Sequence, residues 1–147
     1  MDVSSSASYS KGGNSTFLIP LARESISAGF PSPAEDYMEL GIDLNRELIK
    51  HPISTFFLRV SGNSMTNAGI YNNDLLIIDK SINPIPGHIV VAILDGEFTL
   101  KRLVKDNNSY YLKAENSNYP AINLYQYAEV QIWGVAIYSI HSLEKLK

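Results

Sequence analysis

The clearest structural signal is the run His88-Ile89-Val90-Val91-Ala92-Ile93-Leu94-Asp95-Gly96-Glu97-Phe98-Thr99-Leu100-Lys101-Arg102-Leu103. Its first seven residues form a short apolar stretch bounded by turn residues, which is typical of a buried strand. Asp95-Gly96 is a strong signal for a two-residue hairpin turn, because such turns need residues that tolerate a positive φ. The residues after the turn are again strand formers. The segment therefore predicts two antiparallel strands joined by a tight turn.

Similar short runs lie on both sides of this hairpin, at residues 55–60, 74–79, 110–113 and 130–141. One short helix is predicted, with Asp43 as its N-cap and Leu44, Leu48 and Ile49 within it, and His51-Pro52 ends it. Many short strands without intervening helices imply a mainly β fold, a compact barrel or sandwich. The sequence contains no internal repeat.

The first 36 residues differ from the rest. Residues 1–16 are dominated by serine and glycine, and such a segment buries too little apolar surface to offset its ordering entropy. Pro31 and Pro33 stop any helix and favour an extended backbone. We therefore predict a flexible N-terminal arm over residues 1–36 and a β-rich domain over residues 37–147.

Composition limits the function. The chain has 147 residues, 45% of them hydrophobic, and a formal net charge of -3. An acidic chain is not expected to bind DNA directly and sequence-specifically, since such proteins usually carry a basic patch. The absence of cysteine excludes disulfides and thiolate metal sites and fits a cytoplasmic protein. No membrane span or secretory signal is expected at the N-terminus. The three histidines lack metal-like spacing, and we expect no metal or cofactor.

Two residues can carry chemistry, although each has an ordinary alternative explanation. Ser64 lies in a tight polar turn after a predicted strand, where it would be exposed on a rigid scaffold; taken alone, an ordinary turn is favoured. Lys101 shares a strand face with Thr99 and Leu103, and burial there would lower its pKa. Most strand lysines instead extend their charge to water. The residue pattern by itself leaves both alternatives open.

Several elements in the same order resemble the LexA/UmuD family of self-cleaving serine peptidases. Ser61-Gly62-Asn63-Ser64-Met65 resembles the nucleophile region, and residues 95–103 resemble the strand that carries the catalytic lysine. The spacing between Ser64 and Lys101 suits that family, as does the position of Ala28-Gly29 before Ser64. Residues 29–37 and 42–45 are similar to UmuD in particular. The resemblance extends from about Phe17 to Ile140.

The resemblance implies a LexA/signal-peptidase-like β fold and a mechanism. Ser64 would be the nucleophile, Lys101 the general base, and the Ala28–Gly29 bond the substrate. It further implies an SOS-response function, in which a RecA filament on single-stranded DNA stimulates self-cleavage. The shortened homodimer would then join the catalytic, UmuC-like subunit of a Y-family translesion polymerase (polymerase V). The residues before Gly29 show no helical apolar period, so we expect a UmuD-like accessory subunit without a DNA-binding head.

Three other interpretations stay open. The chain could be a non-catalytic β-rich interaction module that retains Ser64 and Lys101 as relics; incubation at alkaline pH would discriminate, because only a peptidase shortens itself. A signal-peptidase relative also uses a serine–lysine pair, but a membrane anchor is not expected here. A headless LexA-type regulator would be separated from a polymerase subunit by its binding partners.

Overall fold

The structure, a computed structural model, describes residues 18–22, 26, 28–29 and 38–144. These residues fall into two compact units that divide between Lys50 and His51. The segments 1–16 and 30–37, predicted as parts of the arm, lie outside the described residues, and the domain boundary predicted at residues 36/37 stays a prediction.

The N-terminal unit contains two strands and a short helix. Strand β1 (Ile19–Ala22) pairs antiparallel with β2 (Met38–Ile42). Helix α1 (Leu44–Leu48) begins after Asp43, whose side chain accepts a hydrogen bond from the Asn45 N–H at 3.1 Å. The Asp43 cap and the short helix confirm the prediction, except that Ile49 is the C-cap residue and lies outside the helix. Strand β1 was not predicted, because it is four residues long and contains a proline, and a proline within a run argues against a strand.

The second unit is a seven-stranded antiparallel sheet with the strand order β3-β4-β9-β5-β6-β7-β8. Its strands are β3 (Thr55–Arg59), β4 (Leu75–Asp79), β5 (Ile89–Leu94), β6 (Glu97–Asp106), β7 (Ser109–Lys113), β8 (Ile122–Asn123) and β9 (Val130–Ile140). Short 3₁₀ helices cover Pro52–Ser54, Thr66–Ala68 and Leu124–Gln126. The mainly β fold that was predicted is confirmed.

Two tight turns set the register of the strands around β6. Asp95 and Gly96 have φ values of 46° and 86°, so the predicted hairpin turn between β5 and β6 is confirmed. Asn107 and Asn108, with φ values of 46° and 67°, form a second turn of this kind between β6 and β7. The Asn-Asn pair is the sequence signal for this second hairpin.

Strand β5 explains why its sequence is a continuous apolar run. Val90, Ala92 and Leu94 belong to one buried cluster, whereas Val91, between them, belongs to another. A strand covered on both faces needs apolar residues at every position rather than at alternate ones. The cluster that contains Val91, called the first core cluster, also contains Met65 and Ile70 from the connection between β3 and β4. That connection therefore packs on the sheet as part of the core.

In the part of the chain that the structure describes, no helix is long and apolar enough to cross a membrane.

Candidate active site

Ser64 lies in a compact connection between β3 and β4 whose backbone is held by short-range hydrogen bonds. The carbonyl of Met65 accepts hydrogen bonds from Ala68 and Ile70 at 3.0 and 3.2 Å. The Met65 side chain is buried in the first core cluster, with 2% of its surface exposed. A buried anchor therefore lies directly after the partly exposed Ser64.

Glycine and asparagine residues shape the start of this connection. Gly62 has a φ of 99°, a left-handed conformation that side chains with a Cβ rarely adopt. Its N–H donates to Asn72 Oδ1 at 2.8 Å, and the Asn63 carbonyl accepts from Asn116 Nδ2 at 2.7 Å. The sequence alone favours an ordinary turn here. In the structure, the side chains of Asn72 and Asn116 hold this turn from both sides.

Lys101 lies in β6 opposite Val90 of β5, with 9% of its surface exposed. Its Nζ lies 3.3 Å from Ser64 Oγ, 2.7 Å from Thr99 Oγ1 and 3.1 Å from the Leu100 carbonyl. The alternative that Lys101 extends to water is wrong. The structure thus brings together Ser64 and Lys101, the two residues that the sequence singled out. The strand pattern predicted neither this contact nor the contact of Thr99 Oγ1 with the Lys101 amine.

The surroundings of Lys101 favour its neutral form. Burial lowers the pKa of Lys101 from its ordinary value, because a desolvated ammonium is penalised relative to a neutral amine. Among the described residues, the ion pairs are His51–Asp79, Arg102–Glu115 and His141–Asp74, and none of them involves Lys101. No carboxylate partner in this part of the chain therefore opposes the effect of burial.

A pocket of about 100 Å³ lies directly beside the two side chains. It is lined by Val60, Ser61, Gly62, Ser64, Met65, Phe98, Thr99, Leu100 and Lys101. Its walls combine apolar side chains with the hydroxyls of Ser61, Ser64 and Thr99. A pocket of this size can hold a small side chain but is too small for a drug-sized ligand, whose sites measure roughly 300–1,000 Å³.

The three histidines, whose spacing in the sequence is not that of metal ligands, hydrogen-bond to other groups of the protein. His51 Nδ1 lies 2.6 Å from Asp79 Oδ2, and His141 Nδ1 lies 2.5 Å from Asp74 Oδ1. His88 Nδ1 accepts from the backbone N–H of residue 85 at 3.2 Å. Within residues 38–144 and the short described stretches before them, no group of three potential metal ligands comes together.

Asp79 shows how a buried carboxylate is held at the end of β4. Burial alone would raise the pKa of Asp79, but hydrogen bonds from Ser81, His51 and Ser54 hold this pKa well below its ordinary value. Those bonds stabilise the ionised form more than burial disfavours it. Asp79 is therefore a structural anion that holds residues 51–54 and Ser81 at the end of β4.

Ala28 and Gly29, the predicted cleavage site, form an exposed bend in the N-terminal unit. An exposed pair of small residues is accessible to a peptidase site. Its assignment as the substrate stays a prediction.

Comparisons with known proteins show which sequences this chain is similar to. Residues 20–137 match the family model described as Peptidase S24-like. Protein ImpA of Escherichia coli is 41% identical over 135 residues, which cover 92% of both chains. Protein SamA of Salmonella typhimurium is 46% identical over 122 residues, covering 83% of this chain and 84% of SamA. The LexA repressor of Shewanella oneidensis is 36% identical over 125 residues, covering 84% of this chain and 60% of the repressor.

Proposed function

Because this chain belongs to the S24-like peptidase family, as a UmuD-like member of the LexA/UmuD group, we propose that it cleaves its own Ala28–Gly29 bond. Ser64 acts as the nucleophile and Lys101 as the general base. The observation that carries this proposal is the buried Lys101 Nζ, 3.3 Å from Ser64 Oγ. That distance is slightly longer than an ordinary hydrogen bond, and such contacts often tighten when substrate binds.

The proposal requires a neutral Lys101 amine that accepts a proton from Ser64, a form that burial favours. A neutral amine has two N–H donors and one lone pair. Thr99 Oγ1 and the Leu100 carbonyl are both acceptors, at 2.7 and 3.1 Å, and they take the two N–H groups. The lone pair is then directed at the third neighbour, the Ser64 hydroxyl. Serine becomes an effective nucleophile only when a base removes its proton in this way.

The reaction would proceed in two proton transfers. Lys101 takes the proton of Ser64 as Oγ attacks the carbonyl carbon of Ala28. The negative charge that develops on the carbonyl oxygen is stabilised by backbone N–H groups around Asn63 and Ser64; one such donor is typically worth about 10²–10³ in rate. The protonated Lys101 then donates to the amine of Gly29, which leaves as a new N-terminus. Lys101, neutral again, then takes a proton from a water molecule that attacks the Ser64 ester and returns it to Ser64 Oγ, and the new Ala28 carboxylate is released.

The small residues at the cut fit the pocket. Ala28 and Gly29 present little side-chain volume, and the pocket beside Ser64 has a volume of about 100 Å³. A substrate tethered to its own peptidase has a high effective concentration. Control of the reaction must therefore lie in how often the arm adopts a productive position.

We place this self-cleavage in the SOS response in the cytoplasm, on the strength of the resemblance to UmuD and LexA. A RecA filament on single-stranded DNA favours the productive position of the arm. The shortened homodimer then serves as the accessory subunit of a translesion polymerase, in complex with its UmuC-like catalytic subunit. No direct reading of DNA sequence by this chain is required.

Intact-mass measurement tests the catalytic assignment. The purified chain is incubated at alkaline pH, and separately at neutral pH with RecA and single-stranded DNA. We expect a fragment that ends at Ala28 from the wild type and none from Ser64→Ala or Lys101→Ala. Lys105→Ala and Ser142→Ala are matched controls, because both side chains are exposed and lie outside the pocket. Cleavage by Ser64→Ala or Lys101→Ala at the wild-type rate would refute the proposed dyad, whereas no cleavage of the wild type under either condition would favour a non-catalytic module.

A further inference from the structure

The segment that follows β7 contacts the Ser64 connection on both sides of the serine. Before Ser64, the Asn63 carbonyl accepts from Asn116 Nδ2 at 2.7 Å. After it, the Asn67 N–H donates to the Glu115 carbonyl at 2.7 Å, and the Glu115 N–H donates to Met65 Sδ at 3.4 Å. We call Glu115 and Asn116 the brace. They are separated from Ser64 by about fifty residues of sequence.

The brace is also joined to the strand that carries Lys101. The carboxylate of Glu115 accepts from Arg102 Nε, and Arg102 is the residue after Lys101 in β6. Arg102 Nη1 donates to the Gly87 carbonyl at 2.6 Å, which holds the guanidinium in place. A continuous series of contacts therefore runs from the nucleophile connection through the brace to the strand of the base.

We propose that Glu115 and Asn116 are positioning residues that set the Ser64 Oγ to Lys101 Nζ distance and the direction of the Ser64 N–H. This inference rests on the proposed function of Ser64 and Lys101. Neither brace residue reacts with substrate. They act through the Asn63–Ser64 peptide and through Arg102.

The side-chain amide of Asn116 fixes the orientation of the Asn63–Ser64 peptide group. The orientation of this amide is fixed at both ends, because its Oδ1 accepts from the Asn118 N–H at 3.0 Å while its Nδ2 donates to the Asn63 carbonyl. A peptide group is planar, with its C=O and N–H pointing in opposite directions. Holding the Asn63 carbonyl therefore also aims the Ser64 N–H, which is one of the donors proposed for the oxyanion.

A substitution that keeps the shape of Asn116 but removes its donor tests this. Asn116→Asp has no N–H group and places a negative charge against the Asn63 carbonyl. We expect the maximum self-cleavage rate at alkaline pH to fall about 10²-fold, the loss that a misplacement of about 1 Å can cause. The midpoint of the pH–rate profile should stay at the wild-type value, since Lys101 keeps its buried surroundings.

Asn118→Asp is the matched control. It introduces the same charge two residues away, on an exposed side chain that makes no hydrogen bond within the described part of the chain, and it should cleave like the wild type. The melting temperature of each variant is measured at the same pH. If Asn116→Asp does not fold, Asn116→Ala removes the donor without adding a charge and takes its place.

Each outcome decides the inference. A lower maximum rate at an unchanged midpoint, in a variant that is folded at the assay temperature, supports the brace. A rate equal to that of Asn118→Asp overturns it. A midpoint that moves upward in both Asn116→Asp and the uncharged Asn116→Ala, with the rate restored at high pH, also overturns it, because Asn116 would then maintain the burial of Lys101 rather than the position of Ser64. Ser64→Ala in the same assay separates the two proposals: if it still cleaves, the proposed function fails, and if it does not, only the brace is in question.

Discussion

The hydroxyl of Thr99 offers a sharp test of how the base is kept neutral and aimed. Thr99 Oγ1 lies 2.7 Å from Lys101 Nζ, the shortest of the three polar contacts of that amine. Thr99→Val preserves the branched shape of the side chain and removes this acceptor. Both the charged and the neutral form of Lys101 lose a hydrogen bond, but the charged form loses the stronger one.

The size of the effect follows from that difference. A hydrogen bond to a charged group contributes about 1.5–3 kcal/mol and one between neutral groups about 0.5–1.5 kcal/mol, so the charged form loses about 1 kcal/mol more. Since one pKa unit corresponds to about 1.4 kcal/mol, the midpoint of the self-cleavage profile should move about 0.7 pH unit lower. This change adds to the lowering of the Lys101 pKa by burial. The maximum rate should fall, because the amine loses a contact that orients its lone pair.

The assay measures the rate of self-cleavage between pH 7 and pH 11, with the cleaved fraction determined by intact-mass measurement. Thr55→Val is the matched control: it removes a hydroxyl that donates to the His51 carbonyl at 2.6 Å, in the same sheet but outside the pocket. Its midpoint should equal that of the wild type. A Thr99→Val midpoint that rises, or that stays unchanged with an unchanged maximum rate, would refute the assignment of Thr99 as an acceptor for Lys101.

Three further predictions concern the arm and the sheet. N-terminal sequencing of the larger cleavage product should begin Gly-Phe-Pro, and any other start contradicts Ala28–Gly29 as the substrate. A chain that begins at Gly29 should unfold cooperatively, because the sheet of residues 51–144 has its own core, and it should sediment as a dimer, as the resemblance to UmuD implies. Aggregation or a gradual melt would indicate that the arm is structural. Asp79→Asn should lower the free energy of unfolding in urea at pH 7 by roughly 1–3 kcal/mol. Because the pKa of Asp79 is lower in the folded than in the unfolded chain, its stabilising contribution is present above about pH 4 and is lost as the pH falls below that value. On acidification the wild type should therefore lose stability more steeply than Asp79→Asn. Parallel curves of unfolding free energy against pH would contradict this reasoning.

Most of the fold could be predicted because its signals are local. The apolar run of β5, the Asp95-Gly96 turn and the Asp43 cap are each contained within a few residues, and their backbone preferences do not depend on distant contacts. Strand β1 was missed for the same reason, since its four residues contain a proline and pair with β2 across a long connection. The position of β9 between β4 and β5 also depends on pairing between residues far apart in the chain.

The candidate site, like the fold, could be predicted only in part from the sequence. The sequence by itself determined which serine and which lysine to consider, since the residues around Ser64 and Lys101 resemble a known peptidase family in type and spacing. It also determined that Lys101 shares a strand face with Thr99. It left open whether the lysine extends to water, because a long, flexible side chain on a strand can lie either way.

Only the tertiary structure decided whether the Lys101 side chain extends to water or is buried. Ser64 and Lys101 meet because Met65 and Ile70 pack in the same core cluster as Leu100, which draws the connection after β3 onto the sheet near β6. The same packing buries the amine and lowers the pKa of Lys101, and it places Asn116 against the Asn63 carbonyl. Desolvation and hydrogen bonding depend on what surrounds a group in space, and a strand pattern specifies only the neighbours of that group along the chain.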